Sequence, residues 1–127
     1  MGAKTGRANA PDGQNYSANG NYKILSDTKG YDFGPYMNGV LIKVRNNWLI
    51  PDSALYGRRG RVIIDFTILK NGDVADCHIV DESGDRSLDG AAKAAIDISN
   101  PFQRLPSEFT GNDLKLRFAF YYNIPVE

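Results

Sequence analysis

The chain has 127 residues, enough for one domain with its own core and too few for two. Fifteen basic side chains balance fifteen acidic ones. That argues against a general nucleic-acid binder, whose affinity comes mainly from neutralised phosphates. A single cysteine excludes an internal disulfide, and no apolar run approaches the ~20 residues of a membrane helix or forms a secretory leader. The expectation is therefore a soluble piece of a longer protein.

Residues 1–21 carry almost no bulky aliphatic side chain and are rich in Gly, Asn, Ala and Ser. Such a segment buries too little to offset its ordering entropy, so residues 1–30 are expected to form a flexible tail or linker. Within them an apolar island, YKIL at 22–25, is a candidate for docking at the domain edge. Asp32-Phe33-Gly34 matches the magnesium-binding tripeptide of protein kinases, but the glycine-rich loop, strand lysine and catalytic loop of that motif are missing. A helix start explains the same residues: Asp32 or Gly34 near the cap, with Pro35 in the first turn. Tyr36, Val40, Val44 and Trp48 recur every four residues, with Met37 and Leu41 beside them and Asn38, Lys43, Arg45 and Asn46 on the other side. This is an amphipathic helix ended by Pro51. PDSALYG follows as a short helical turn stopped by Gly57.

Residues 61–70 alternate, with Val62, Ile64, Phe66 and Ile68 on one side and Asp65 and Thr67 on the other. Asn71-Gly72 signals a two-residue hairpin turn, and residues 73–80 return as the second strand. Counting outward pairs Lys70 with Asp73, Ile68 with Ala75, Phe66 with Cys77 and Ile64 with Ile79. Thr67 then meets Asp76, and Asp65 meets His78. Cys77 falls on the apolar face and His78 on the polar one.

In the alanine-rich segment LDGAAKAAIDIS, Leu88, Ala92, Ala95, Ile96 and Ser99 share one face. It is a second helix, capped by Asp85 or Ser87. A loop with Pro101, Pro106 and Gly111 leads to a third strand, where Leu114, Leu116, Phe118 and Phe120 alternate with Lys115, Arg117, Ala119 and Tyr121. The fold class is α+β. Its three-stranded antiparallel or mixed sheet is expected in the order 2-1-3, because a right-handed crossover leaves room for the first strand between the other two. Both helices cover the apolar face.

Little in this layout carries reaction chemistry. Cys77 and His78 are the only residues of their kinds and point to opposite faces, whereas zinc needs three or four converging ligands and nucleophilic catalysis needs contact. Cys77 reads as a small hydrophobe and His78 as an exposed cross-strand partner of Asp65. Arg58, Arg59 and Arg61 read as a solvated strand end rather than an anion site. Asp81, Glu82, Asp85 and Asp89 lack calcium-loop spacing and suit a helix start. No enzyme, metal or cofactor is expected.

The stretch PYMNGVLIKVRNNW, then IPDSALYGRRGRVIIDFTILKNGDVADCHIVDESGDRSLDGAAKAAI, then PFQRLP and LKLRFAFYYN, resembles the C-terminal domain of TonB-family energy transducers, with TolA as a structural relative. The resemblance covers residues 33–123. It rests on the order and spacing of a helix, a proline, a Gly-x-Val-x-Val-x-Phe-x-Ile-like strand, a glycine turn and a Ser-Gly-x-x-x-Leu-Asp-x-Ala-Ala-like helix. Many relatives carry Tyr-Pro where this chain has Trp48-Leu49-Ile50-Pro51, so receptor contacts attributed to that pair transfer poorly. The resemblance implies a TonB-like domain over 31–124, followed by a short tail at 125–127.

It also implies a periplasmic domain of an inner-membrane-anchored protein, with the anchor absent from this chain. Its partners would be a peptide of an outer-membrane receptor or transporter and, through the missing N-terminal region, an inner-membrane motor complex whose force it transmits. The expected binding element is an edge strand of Asp113, Leu114, Lys115, Leu116, Arg117, Phe118, Ala119, Phe120, Tyr121 and Tyr122, which accepts the peptide by β-augmentation. Lys115, Arg117, Tyr121 and Tyr122 would tune specificity. The alternative is a cell-envelope scaffold that forms a homodimer through the same edge.

Overall fold

A computed structural model describes residues 16–126; most of the expected tail, residues 1–15, and the final residue lie outside that range. Seven elements follow in order: β1 (Ala18–Ile24), α1 (Gly34–Asn47), α2 (Asp52–Leu55), β2 (Gly60–Leu69), β3 (Val74–Asp81), α3 (Arg86–Ser99) and β4 (Asp113–Tyr122). The strands form one sheet in the order β1-β4-β2-β3, and every neighbouring pair is antiparallel.

The helices form where the sequence places them. Pro35 sits in the first turn of α1, where its missing N–H costs nothing. Phe33 takes the cap position without a side-chain cap, while the Asp32 carboxylate accepts from Gly34 N–H at 2.9 Å. Phe33 instead anchors the helix start by edge-on contacts with Tyr31 and Phe109, both at 4.9 Å between centroids. Tyr36, Met37, Val40 and Val44 are buried along α1, and Trp48 follows at its C-terminal cap. The Asp85 carboxylate caps α3 by accepting from Ser87 N–H and Leu88 N–H. All five residues expected on its inner face, Leu88, Ala92, Ala95, Ile96 and Ser99, are buried.

Both helices lie against the face of the sheet that carries Val62, Ile64, Phe66, Ile68, Leu114, Leu116, Phe118 and Phe120, and this layer is the core. Trp48 is fully buried and meets Phe120 and Tyr122 edge-on, at 5.0 and 5.2 Å. A buried indole N–H needs an acceptor. It donates to the Tyr122 hydroxyl at 2.7 Å, which in turn donates to the Leu88 carbonyl at 3.0 Å. One hydrogen-bonded chain thus ties α1, β4 and α3.

Two expectations are corrected here. The sheet has four strands, not three, although the three anticipated ones keep their order as β3-β2-β4. The fourth is β1, which occupies part of the expected flexible 1–30 segment and pairs along β4 from Ala18↔Tyr122 to Ile24↔Leu116. Its sequence, ANGNYKI, has low intrinsic strand preference. What makes it a strand is the backbone of β4, which no local pattern reveals.

The hairpin turn differs as well. Gly72 N–H bonds to Leu69 O, and Leu69 N–H bonds to Asp73 O, so the loop is Lys70-Asn71-Gly72 with only Gly72 in the left-handed region (φ 99°). Ile68 therefore pairs with Val74 and Thr67 with Ala75, one residue off the expected count. A bulge at Asp76 (φ 54°) absorbs the shift, and Asp65↔His78 and Ile64↔Ile79 then pair as counted. The loop after α3 clasps this turn: Phe102 N–H donates to Gly72 O at 2.9 Å, and Leu105 N–H to Lys70 O at 3.0 Å.

Candidate protein-binding site

The strand expected to be an open edge is an interior strand. Along its whole length β4 pairs with β2, from Gly60↔Tyr122 to Leu69↔Asp113, and its other side carries β1. Any partner that takes up the β4 ladder, a receptor peptide or a second copy alike, must first replace β1. The cause is simple: an edge strand of ten residues exposes a row of amide and carbonyl groups, and the chain covers it with its own N-terminal segment.

The side chains of β4 divide by face. Leu114, Leu116, Phe118, Phe120 and Tyr122 enter the core, while Lys115 and Arg117 reach the open face. Tyr121 and Ala119, also on that face, are only 4% and 8% exposed. Tyr122 is locked to Trp48, and burial pushes its phenol well above the usual range. Neither tyrosine is therefore placed to tune specificity. Arg117 is engaged too: its guanidinium donates twice to the Asp65 carboxylate, at 2.7 and 2.9 Å. That hydrogen bonding holds the Asp65 carboxyl below the usual carboxylate range. Asp65 lies opposite His78 as counted, yet its charge partner is Arg117; His78 Nδ1 sits 2.8 Å from Asp76 O instead.

The ends of β1 are fastened by residues that no motif singled out. Asn123 leaves β4 in a left-handed conformation (φ 57°) that asparagine tolerates well. Its backbone N–H donates to Ser17 O at 2.8 Å, and its side-chain oxygen accepts from Ser17 N–H at 2.9 Å. The amide nitrogen of the same side chain donates to Ala54 O and Arg58 O, at 2.8 and 2.7 Å. At the other end Leu25 N–H donates to Lys115 O, and the Ser26 hydroxyl accepts from Lys115 N–H. The only sequence signal for these clips is an asparagine directly after an apolar strand.

The remaining chemistry-bearing side chains serve structure. Cys77 packs against the core beside Lys93 and Asp97, and burial pushes its thiol up to about 11, so it stays protonated at neutral pH. Arg58 pairs with Asp85, and Arg61 with Asp81. Asp89 accepts from Ser83 N–H at the start of α3. Among the described residues no group of three or more His, Cys, Asp or Glu side chains converges to hold a metal ion. Hollows of the described surface include an open one of about 520 Å³ beside Ser17, Arg59 and Asn123 and two smaller ones. One, of about 230 Å³, lies between α1 and the loop after α3, and includes Tyr36, Gly39, Lys43 and Phe102. The other, of about 210 Å³, crosses the open face of the sheet and includes Leu25, Thr67, His78 and Lys115.

The described residues thus form an α+β domain with both helices on one sheet face, mixed charge on the other, and β4 paired on both sides. Residues 51–124, more than half of the chain, match the family described as Gram-negative bacterial TonB protein C-terminal, and the chain belongs to that family. Domains of this family are periplasmic protein-interaction domains of energy transducers. No curated protein and no solved structure matched the chain. The matched residues begin after α1, so β1 and α1 precede the part the family defines. No described helix is long and apolar enough to cross a membrane.

Proposed function

We propose that this domain grips an extended segment of an outer-membrane receptor or transporter by β-augmentation and passes on force from an inner-membrane motor complex. The observation that carries this reading is β4. It is a ten-residue strand at the heart of the sheet, welded to β2 on one side and matched on the other by a strand that adds few side-chain anchors of its own. Backbone hydrogen bonds supply affinity in such an arrangement, and alternate side-chain positions supply selectivity. A strand pulled along its own axis loads many of those bonds together, which suits a joint that bears tension.

Residues Asp113 to Tyr122 remain the proposed docking ladder, reached on the β1 side of the sheet. Titration of the isotope-labelled chain with extended peptides from receptor N-termini tests the proposal. Backbone shifts should concentrate in residues 18–26 and 113–123. Shifts confined to the helices or to β3, for every peptide tried, would overturn it.

A further inference from the structure

We infer that β1 is a resident, exchangeable strand, and that its side-chain pattern is a template for the peptides able to replace it. The inference rests on the β-augmentation reading and adds to it a site, a resident occupant and a selectivity rule.

Three observations carry it. First, among the described elements β4 is the only one against which β1 makes more than incidental contact. The Trp48–Tyr122–Leu88 chain uses no β1 residue, and β1 reaches the core cluster only through Ala18, with Ile24 packed against it. Second, the link from β1 to α1 contains a built turn. Lys29 and Gly30 are consecutive left-handed residues (φ 51° and 78°), Tyr31 N–H returns to Thr28 O, and both Lys29 and Gly30 are exposed. Just beyond it Tyr31 and Phe33 are anchored in the aromatic cluster with Phe109. The strand can therefore swing about residues 26–30 while the core stays fixed.

Third, the register defines what fits. Ala18, Gly20, Tyr22 and Ile24 lie opposite Tyr122, Phe120, Phe118 and Leu116, the core-facing residues of β4. Ala18 and Gly20 are buried although they are the two smallest residues, so neighbouring atoms already close over that end. Tyr22, 37% exposed, lies against the Phe118 ring at 6.1 Å in a roomier setting. The site thus takes an extended segment with small residues at two alternate positions, then an aromatic and an aliphatic one. The intervening positions, filled here by Asn19, Asn21 and Lys23, face the open side and accept polar residues.

The test needs no receptor, so its outcome is separate from that of the receptor titration. A specific protease site is placed in the exposed 28–30 turn of the full chain, the turn is cut, and a fluorescent synthetic peptide of residues 16–26 is added. The cut protein should keep its fold, read from the buried Trp48, and exchange its own strand for the labelled peptide. A peptide carrying Gly20→Val should bind at least about tenfold more weakly, and one carrying Asn19→Ser within about threefold of the parent. If the cut chain unfolds, or keeps its strand and takes up no peptide, β1 is a permanent structural strand and the inference fails. Equal binding of the Gly20→Val peptide would refute the template. Successful exchange with no receptor segment bound would leave this site standing and remove the receptor reading.

Discussion

β3 is fastened at its turn, along its length and from above, whereas β1 is fastened by one ladder and a clip at each end. The loop after α3 bonds to the β3 turn through Phe102 and Leu105, and Asn100 accepts from Val74 N–H. Val74, Cys77 and Ile79 pack against the core, and Lys93 and Asp97 of α3 lie beside Cys77. A bulge at Asp76 and the charges of Asp73, Asp76 and Asp81 further blunt this side against added strands. β1 has an unbroken seven-residue register, with Ala18 and Gly20 buried and Ile24 packed against the core. One end of the sheet is built to stay closed. The other is covered by a segment held to the rest of the fold mainly through the β4 ladder.

The sharpest way to break this comparison is to damage the part that both ends share. Trp48 supports Phe120 and Tyr122 of β4 and donates to the Tyr122 hydroxyl. Trp48→Ala leaves a cavity and a buried hydroxyl short of a donor, and should cost about 3–5 kcal/mol. Urea unfolding should show one cooperative transition at lower denaturant, with β1 and β3 amides losing protection together. A loss confined to either end would contradict the shared-core account.

A smaller loss, confined to the closed end, is expected from Gly72→Ala. The added Cβ would lie 2.2 Å from Phe102 O, on backbone with φ of 99°. Turn and loop must separate, at about 2–3 kcal/mol. Hydrogen exchange should accelerate at Val74 and Phe102 and leave residues 18–24 unchanged relative to global stability. Asn123→Ala is the counterpart at the other end, since that side chain accepts from Ser17 and donates to Ala54 and Arg58. It should lower the free energy of opening β1 by about 1–2 kcal/mol. In the same exchange measurement, β1 amides should speed up while β2 and β3 hold.

The contrast also explains what could be read from the sequence. The helices, the hairpin and β4 declare themselves because their own side chains bury with the right period: every fourth residue in α1, the five inner residues of α3, every second residue in β2 and β4. The assignment of Cys77 and His78 to opposite faces held even though the turn was misjudged, because the Asp76 bulge restored the register. β1 was opaque for the opposite reason. Asn19, Gly20 and Asn21 bury little apolar surface, and the strand exists because β4 offers a ladder from Leu116 to Tyr122, far away in sequence. Its clips are hydrogen bonds between single polar side chains and distant backbone, which leave no periodic trace. The sequence pattern thus reveals β4 as a strand but not its neighbour β1, so its expected open edge is in fact paired.

The smallest expected effect separates the ends by pH. Arg117 holds the Asp65 carboxyl below the ordinary carboxylate value of about 3.9. A lowered folded-state value means that the unfolded chain binds the proton more readily. The pair's stabilisation is therefore complete above the unfolded value and fades as pH falls through the folded one. Asp65→Asn should lower stability by a constant amount from about pH 5 upward, and the gap to the parent chain should close in stronger acid. Because this pair joins β4 to β2, both ends should feel it through the common core. The clips on β1, by contrast, are neutral amides and hydroxyls from Asn123, Ser17 and Ser26. The free energy of opening β1, measured relative to global unfolding, should not decline between pH 5 and pH 3 more steeply in the parent than in the Asp65→Asn variant. A steeper decline would mean that charge, rather than the backbone ladder and its neutral clips, keeps β1 in place.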